Sequence, residues 1–262
     1  MEGWPAIQRG EHTLILSPTG SGKTLAAFLW GIDELYREVS RAGGDYEEGV
    51  RLLYVSPLKA LNNDVERNLR APLAGIRRVA KEQGAPLPRL DVLVRTGDTP
   101  QSDRRRMVKH PPHILITTPE SLQLLLATKG YDKTFRSCYA IVVDEWHELL
   151  GSKRGVQMEL ALSRLKSVCP QLRIWGISAT IGNLEQARQV LLGPGSKALE
   201  NSVMIRAHVP KRIVVKSLLP ERMDTFPWRG HLGLGRPSAS ARFGLCGGDQ
   251  LVPALLHRLQ PG

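Results

Sequence analysis

Short apolar runs alternate with helical patterns along roughly the first 200 residues of the chain. Six such runs occur, at 13–16, 51–55, 90–94, 113–116, 139–143 and 173–177. Continuous apolar runs of this length, separated by helices, are typical of parallel strands buried on both faces. The pattern therefore predicts six βα units. We expect an α/β fold in which a mostly parallel sheet is flanked by helices on both faces.

A cluster of small, polar or charged residues follows each predicted strand. The carboxyl ends of parallel strands meet at one edge of a sheet, and open α/β folds bind their ligands at that edge. The convergence of all the clusters is stronger evidence than any one of them. The sequence therefore predicts a ligand site along a single edge.

The first cluster, 17–24, reads Ser-Pro-Thr-Gly-Ser-Gly-Lys-Thr. A Gly-rich turn between a strand and a helix is the context that a phosphate-binding loop requires. Gly20 and Gly22 allow backbone N–H groups to point around an anion, which the start of the following helix also attracts. Lys23 can reach the β and γ phosphates, and the Thr24 hydroxyl can bind Mg²⁺. The first Gly of the usual pattern is replaced by Ser, and the alternative is a strand–helix turn with a surface Lys.

Two adjacent carboxylates, Asp144 and Glu145, follow the fifth apolar run. A carboxylate at a strand end is the usual second half of a phosphate-loop site, where it holds Mg²⁺. A neighbouring Glu can take a proton from the attacking water. The alternative is a solvated pair of acids. Taken alone, His147 is more typical of a packed histidine, and the Ser-Ala-Thr stretch 178–180 is a small polar turn.

Three strand–helix junctions share a Ser-Pro or Thr-Pro pair, at 56–57, 99–100 and 118–119. Ser and Thr are preferred N-caps and Pro is favoured in the first turn, so each pair predicts a capped helix. A helix N-terminus at a ligand edge also binds anions, and Lys59 and Arg95 add positive charge. These junctions are consistent either with capping alone or with contacts to successive phosphates of a nucleic-acid backbone.

Composition places the chain among globular proteins, with 262 residues, 42% hydrophobic and 23% charged. No apolar run has the length needed to cross a bilayer. The three cysteines, Cys138, Cys169 and Cys246, form neither a disulfide framework nor a zinc pattern, which favours a cytoplasmic location. The net charge of +11 suggests a polyanionic partner. This inference is weak, because the stretch 203–262 alone holds nine Lys or Arg against three acids.

Taken together, these motifs resemble those of superfamily 2 helicases. The matching stretches are 18–24 for motif I, 56–61 for motif Ia, 117–122 for motif Ib, 144–147 for the DExH form of motif II and 178–180 for motif III. Stretches 56–63, 95–101 and 144–149 more narrowly resemble the large helicase-related (Lhr-type) family. Trp146 is a departure, since a small or β-branched residue is commoner there.

The resemblance implies a RecA-like P-loop NTPase domain that uses ATP and Mg²⁺. Family members are ATP-driven helicases that translocate on single strands and act in DNA repair. The implied nucleotide-binding residues are Thr19, Gly20, Ser21, Gly22, Lys23 and Thr24. The implied catalytic residues are Lys23, Asp144 and Glu145, with Thr24 and Asp144 at the metal and Asp144 acting through water.

The resemblance also implies a nucleic-acid side of the site. Coupling between ATP and nucleic acid is implied for His147, Ser178 and Thr180. The implied nucleic-acid contacts are Pro57, Lys59, Thr96, Gly97, Thr118, Pro119 and Glu120. Single-stranded DNA is the expected partner, with RNA or a hybrid as alternatives.

Three segments are predicted from the extent of the resemblance. Residues 1–200 form the first RecA-like domain, 201–234 a β-rich extension toward a second RecA-like domain, and 235–262 an irregular tail. No motif carrying the second domain's arginine is found in the sequence. We therefore expect a truncated gene product with an out-of-frame or foreign end, and little unwinding by this chain alone.

Two other classes of function are consistent with parts of the pattern. One is a phosphate-loop ATPase or kinase that acts on a small molecule, which would need a substrate pocket and a lid. The other is a non-catalytic fragment that binds nucleotide or nucleic acid, or docks onto an intact helicase. Stimulation of ATP hydrolysis by a polynucleotide would separate the helicase from the small-molecule enzyme.

Overall fold

The computed structural model describes residues 3–17, 23–42, 48–85, 87–179, 181–206, 224–225 and 232–233 of the 262. The chain divides into two compact units, Met1–Val209 and Pro210–Gly262. Among the described residues no helix is both long and apolar enough to cross a bilayer.

The first unit is built on a seven-stranded sheet in which every strand pair is parallel. Its strands are β1 (His12–Leu16), β2 (Leu52–Val55), β3 (Val92–Arg95), β4 (Ile114–Thr117), β5 (Ala140–Val143), β6 (Arg173–Ser178) and β7 (Ser202–Arg206), in the order β3-β4-β2-β5-β6-β1-β7. All six strands predicted from the apolar runs are present. The prediction of an α/β fold with a parallel sheet is confirmed.

Ten helices are described in this unit. They are α1 (Gly3–Gln8), α2 (Lys23–Ala42), α3 (Lys59–Glu82), α4 (Gln101–Lys109), α5 (Pro119–Leu126), α6 (Tyr131–Phe135), α7 (Trp146–Leu149), α8 (Lys153–Val168), α9 (Leu184–Leu192) and α10 (Lys197–Glu200). Helix α3 is the longest of these helices and contains a proline in its interior. It continues through Pro72 because its buried positions, from Asn62 to Leu73, repeat at helical spacing.

Two hydrophobic clusters cover the two faces of the sheet. Strand residues that face α1, α2 and α3, such as Tyr54, pack with Phe28 and Leu69. Their neighbours along the strands face α5 to α9 and pack with Trp146 and Leu162. Because successive strand residues point to opposite faces, a strand buried on both sides must be apolar throughout. This requirement explains the continuous apolar runs in the sequence.

The strand β7 pairs with β1 at one edge of the sheet, from His12 opposite Ser202 to Leu16 opposite Arg206. It lies in the stretch 201–234, which the sequence analysis assigned to an extension, and the proposed segment boundaries stay a prediction. The second unit contains an antiparallel pair of short strands, β8 (Asp224–Thr225) and β9 (Leu232–Gly233).

His12 at the start of β1 should make the stability of the first unit depend on pH. Its Nδ1 accepts a hydrogen bond from the Ile174 backbone N–H at 3.0 Å. Burial, with repulsion from Lys166 and Arg173, lowers the pKa of His12 to about 4. An unfolded histidine titrates near pH ~6.5, so the unfolded state binds the additional proton in between. We expect the free energy of unfolding to fall as the pH falls from about 6.5 to about 4.

Urea unfolding at a series of pH values checks this expectation. In His12→Gln the loss of stability over this pH range should be smaller than in the wild type, because the titrating group is gone. His110→Gln is the matched control, since His110 lies exposed after α4. An identical pH dependence in His12→Gln and in the wild type would contradict the role assigned to His12.

Candidate functional site

The polar clusters predicted from the sequence lie at the carboxyl edge of the sheet, as their strand positions require. Asp144 follows β5 and is 6% exposed, and Ser178 ends β6 and is fully buried. Thr96 follows β3 and Thr118 follows β4, and both are also buried. The parallel register therefore brings side chains from distant parts of the chain to one edge.

Tyr54 connects the phosphate-loop helix to the strand-end carboxylate. Its hydroxyl donates a hydrogen bond to Asp144 Oδ2, and the Thr24 side chain is close enough to lower the pKa of the phenol slightly. Burial raises the pKa of Tyr54 well above its usual value, and the negative charges of Asp144 and Glu145 raise it further. The phenol therefore stays protonated and holds the Asp144 carboxylate in place. Thr24 and Asp144, predicted from separate motifs, meet around one side chain.

Glu145 has a left-handed backbone conformation that few non-glycine residues adopt. Its φ is +50°, the one positive φ among the described non-glycine residues. Its N–H donates to Asp144 Oδ1 at 2.8 Å, which closes the turn between β5 and α7. Left-handed non-glycine residues cost about 1–3 kcal/mol and concentrate at functional sites. The turn aims the Asp144 and Glu145 side chains from the strand end.

His147 is held between α7 and the end of β6. Its Nδ1 lies 3.2 Å from Ser178 Oγ and 3.3 Å from the Ala179 backbone nitrogen, while its own N–H donates to Ser178 Oγ at 3.2 Å. Nδ1 also lies 3.3 Å from Glu145 Oε2. Nε2 lies 3.5 Å from Glu148 Oε1. The two predicted coupling residues His147 and Ser178 are therefore in direct contact.

Trp146 stands at the motif position where a small or β-branched residue is commoner. The side chain is fully buried, and its indole N–H donates to the Ala187 carbonyl on α9 at 2.9 Å. A buried tryptophan needs such a partner for its polar N–H. Trp146 thus anchors α7 to α9, the helix that follows β6, and its role is structural.

Helix capping was predicted at three junctions and is found at one of them. Thr118 is the N-cap of α5, where its Oγ1 accepts from the Ser121 N–H, and Pro119 follows at the first helical position. The prediction was wrong for Ser56 and Thr99. Ser56 Oγ instead accepts from the Leu58 N–H at 3.4 Å, because α3 begins only at Lys59.

The loop after β3 is a closed turn. Thr99 Oγ1 accepts from the Thr96 N–H at 2.9 Å, and Thr96 Oγ1 accepts from the Asp98 N–H at 3.3 Å. Arg104 on α4 donates to the carbonyls of Thr99, Thr96 and Gly97. The predicted residues Thr96 and Gly97 are therefore held by an arginine that follows them in the sequence.

Lys59 and Arg154 at the nucleic-acid side are each paired with a carboxylate. Lys59 Nζ lies 2.8 Å from Asp98 Oδ1, and Arg154 Nε lies 2.6 Å from Glu120 Oε1. Burial alone would raise the pKa of Glu120, but hydrogen bonds from its own backbone, Thr118 and Arg154 outweigh that effect and lower it. Glu120 is thus anionic and pairs with Arg154 in the free protein.

Part of the predicted site lies outside the described residues. This applies to Thr19, Gly20, Ser21, Gly22 and Thr180. Lys23 is described as the first residue of α2, with nothing to be said of its side chain.

Two residues at this edge were missed by the sequence analysis. Tyr54 is the one aromatic residue of β2, and a phenol in a strand buried on both faces needs a polar partner, which was an available signal. Arg154 gave no such signal, because its partners lie 34 and 97 residues away in the sequence. Only the folded chain brings these partners together.

The oxygen donors at this edge fit a magnesium ion bound with a nucleotide. Thr24 and Asp144 supply a hydroxyl and a carboxylate, the ligand types that Mg²⁺ prefers. Within the described part of the chain, no group of three or more His, Cys, Asp or Glu could hold a metal. Magnesium commonly binds through one or two protein oxygens together with substrate phosphates and waters.

The all-parallel sheet and its carboxyl-edge site define a RecA-like nucleotide-binding domain. The structure of Mycobacterium smegmatis helicase Lhr bound to ssDNA and AMP-PNP has this fold, with a TM-score of 0.71 and 44% identity over 80% of this chain and 25% of that chain. Residues 1–187 match the DEAD/DEAH box helicase family. The chain belongs to this family, and the resemblance inferred from its motifs is confirmed.

Two curated relatives within this family are Lhr-type helicases. The chain is 46% identical over 215 residues to a Mycolicibacterium smegmatis protein named Lhr helicase/probable uracil glycosylase, covering 78% of this chain and 14% of the relative. It is 45% identical over 214 residues to the ATP-dependent helicase Lhr-Core of Methanocaldococcus jannaschii, covering 82% of this chain and 24% of the relative. The chain therefore spans less than a quarter of the length of these relatives.

Proposed function

We propose that this chain is the ATP-binding motor domain of an Lhr-type helicase, which couples ATP binding and hydrolysis to nucleic acid. The observation that carries the proposal is the Tyr54 hydroxyl, which donates to Asp144 and lies near the Thr24 side chain. It places the strand-end carboxylate beside the first turn of the phosphate-loop helix. This proximity supports a nucleotide site on the edge that also holds the proposed nucleic-acid junctions.

The proposed nucleotide site consists of residues from both motifs. Lys23 binds the phosphates, Thr24 and Asp144 hold Mg²⁺, and Glu145 polarises the attacking water. Thr19, Gly20, Ser21 and Gly22 complete the loop. When bound, Mg²⁺ neutralises charge on the phosphates. The residues of this chain orient the nucleotide and the water, since phosphoryl transfer depends mostly on positioning and electrostatic stabilisation.

The proposed nucleic-acid side lies on the same edge of the sheet. His147 and Ser178 touch each other between the two sides and, with Thr180, would report the nucleotide state. The proposed contacts to the nucleic-acid strand are made by Pro57, Lys59, Thr96, Gly97, Thr118, Pro119 and Glu120. Single-stranded DNA is the proposed partner, because a relative of 44% identity is described as bound to ssDNA and AMP-PNP.

Hydrolysis by this chain alone is expected to be slow. In related phosphate-loop enzymes an arginine supplied across the cleft is worth about three to five orders of magnitude in rate. We propose that such an arginine comes from a second RecA-like domain, so that this chain binds ATP without unwinding nucleic acid. Robust unwinding by this chain alone would refute the proposal that a second RecA-like domain must supply this arginine.

Replacement of Lys23 by alanine tests the nucleotide site directly. We expect the variant to bind a fluorescent ATP analogue with Mg²⁺ at least about tenfold more weakly than the wild type. The reason is the loss of a charge-assisted contact to the phosphates, worth about 1.5–3 kcal/mol. Binding is measured by fluorescence anisotropy with added MgCl₂.

Lys129→Ala is the matched control for this test, because Lys129 is exposed in the loop after α5 and its loss removes the same charge. It should bind the analogue as the wild type does. Equal binding by Lys23→Ala and the wild type would refute the proposed site. Nucleotide binding that no oligonucleotide alters would favour a small-molecule ATPase instead.

A further inference from the structure

Arg154 joins two of the proposed nucleic-acid junctions across the surface of the sheet edge. Its Nε donates to Glu120 Oε1 at 2.6 Å, in the first turn of α5. Its Nη1 donates to the Pro57 carbonyl at 3.3 Å, in the junction that precedes α3. One guanidinium therefore fixes the spacing between two segments that follow different strands.

Arg154 itself lies on a rigid joint. The N-cap of α8, Ser152, accepts from the Gly155 N–H at 3.2 Å and donates its hydroxyl to the Leu149 carbonyl at 2.7 Å. A Cβ added at Gly155 would lie 2.2 Å from the Leu149 oxygen. The first turn of α8 is thus packed directly on the last residue of α7.

The other end of α7 begins at the proposed ATP site. Trp146 starts this helix directly after Asp144 and Glu145, and His147 within it contacts Ser178. Helix α7 is four residues long, and the capped loop 150–152 connects it to α8. A displacement of the 144–147 segment is therefore carried to the first turn of α8, and with it to Arg154.

The ion pair itself contributes little to stability. The Arg154 and Glu120 side chains are 48% and 43% exposed, and exposed pairs are worth about 0.2–1 kcal/mol. An arginine has a planar fork of donors that a lysine lacks, which suits it to holding two acceptors at a fixed separation. The contact therefore matters for the separation that it fixes between its two acceptors and not for the stability that it adds.

We propose that Arg154 is a positioning residue that links the Pro57 and Glu120 junctions to the 144–147 segment of the proposed ATP site. Through this link, nucleotide binding changes the affinity for nucleic acid. This role rests on the proposed function. It requires a two-state movement of the 144–147 segment that both ligands bias, which is the physical content of coupling between sites.

The proposal makes a specific statement about Arg154→Lys, which keeps the charge and loses the fork. Affinity for a fluorescein-labelled oligothymidine is measured with and without a non-hydrolysable ATP analogue and Mg²⁺. In the wild type we expect the analogue to change this affinity. In Arg154→Lys and Arg154→Gln we expect the change to shrink by up to about fivefold, because a contact worth at most about 1 kcal/mol can alter the coupling by no more than that.

Hydrogen exchange provides a readout that needs no ligand. We expect faster amide exchange in peptides covering 57–61 and 118–122 in Arg154→Lys, because the two junctions are no longer joined. Lys153→Gln is the matched control, since it removes a charge from the preceding position of the same helix and should leave exchange and coupling unchanged. Wild-type exchange rates in Arg154→Lys would overturn the proposal.

Salt dependence separates positioning from a direct phosphate contact. Loss of one phosphate contact lowers the slope of log affinity against log salt by about 0.7 for a single strand. We expect Arg154→Gln to keep the wild-type slope. A lower slope with unchanged exchange would overturn the positioning role. A wild type that binds neither nucleotide nor oligothymidine would refute the proposed function, while the exchange data still decide whether Arg154 joins the junctions.

Discussion

Trp146→Ala is expected to lower the free energy of unfolding of the first unit by about 3–5 kcal/mol, the range for removing a fully buried tryptophan. Trp146 is 0% exposed and lies in the cluster that packs α7, α8 and α9 on the sheet. The substitution leaves a cavity and removes the donor to the Ala187 carbonyl. Urea unfolding followed by far-ultraviolet circular dichroism measures the change.

Trp146→Phe separates packing from the hydrogen bond. It keeps an aromatic ring but removes the indole hydrogen bond to the Ala187 carbonyl, whose net contribution is about 0.5–1.5 kcal/mol. Leu160→Ala on α8 is the control, because this side chain is 62% exposed and its loss should change stability by less than about 0.5 kcal/mol. A loss below 1 kcal/mol in Trp146→Ala would show that α7 is not anchored by this residue.

Asp144→Asn is expected to weaken the Mg²⁺-dependent part of nucleotide binding by about ten- to a hundredfold, the usual effect of altering an outer-shell metal partner. The amide has the shape of the carboxylate, and its one oxygen keeps one of the two hydrogen bonds, from the Tyr54 hydroxyl or from the Glu145 N–H. The other hydrogen bond is lost together with the negative charge that attracts the metal. Titration of MgCl₂ at a fixed concentration of a fluorescent ATP analogue measures the effect.

Asp98→Asn is the matched control for this prediction. Asp98 follows β3 at the same edge of the sheet, but its side chain is 75% exposed and pairs with Lys59. Its loss should leave the Mg²⁺ dependence of nucleotide binding as in the wild type. The same Mg²⁺ dependence in Asp144→Asn and in the wild type would exclude Asp144 as a metal-binding residue.

Tyr54 explains how a buried carboxylate is tolerated at this edge. Asp144 is 6% exposed, and a buried charge is costly unless it is hydrogen bonded. The Tyr54 hydroxyl and the Glu145 N–H each donate to one of its two oxygens. The carboxylate is therefore held in a fixed orientation before any ligand binds, which is the preorganisation that an active site needs.

Much of the fold could be predicted from the sequence, because burial on both faces of a parallel sheet forces a recognisable apolar run. All six predicted strands were found, and with them the edge that collects Asp144, Ser178, Thr96 and Thr118. Capping was predicted less well. A Ser-Pro or Thr-Pro pair is compatible with several turns, and Ser56 and Thr99 close turns before their helices begin.

The sequence by itself determined the order of strands and helices, the phosphate-loop motif and the positions of the strand-end carboxylates. These features are local, since each depends on residues a few positions apart. Only the tertiary structure decided that Tyr54 bonds to Asp144 and that Arg154 joins Pro57 to Glu120. Those contacts link residues that are 34 to 97 positions apart, and they arise from the crossover connections of the sheet. No pattern along the chain encodes such separations, because they depend on which strands lie side by side.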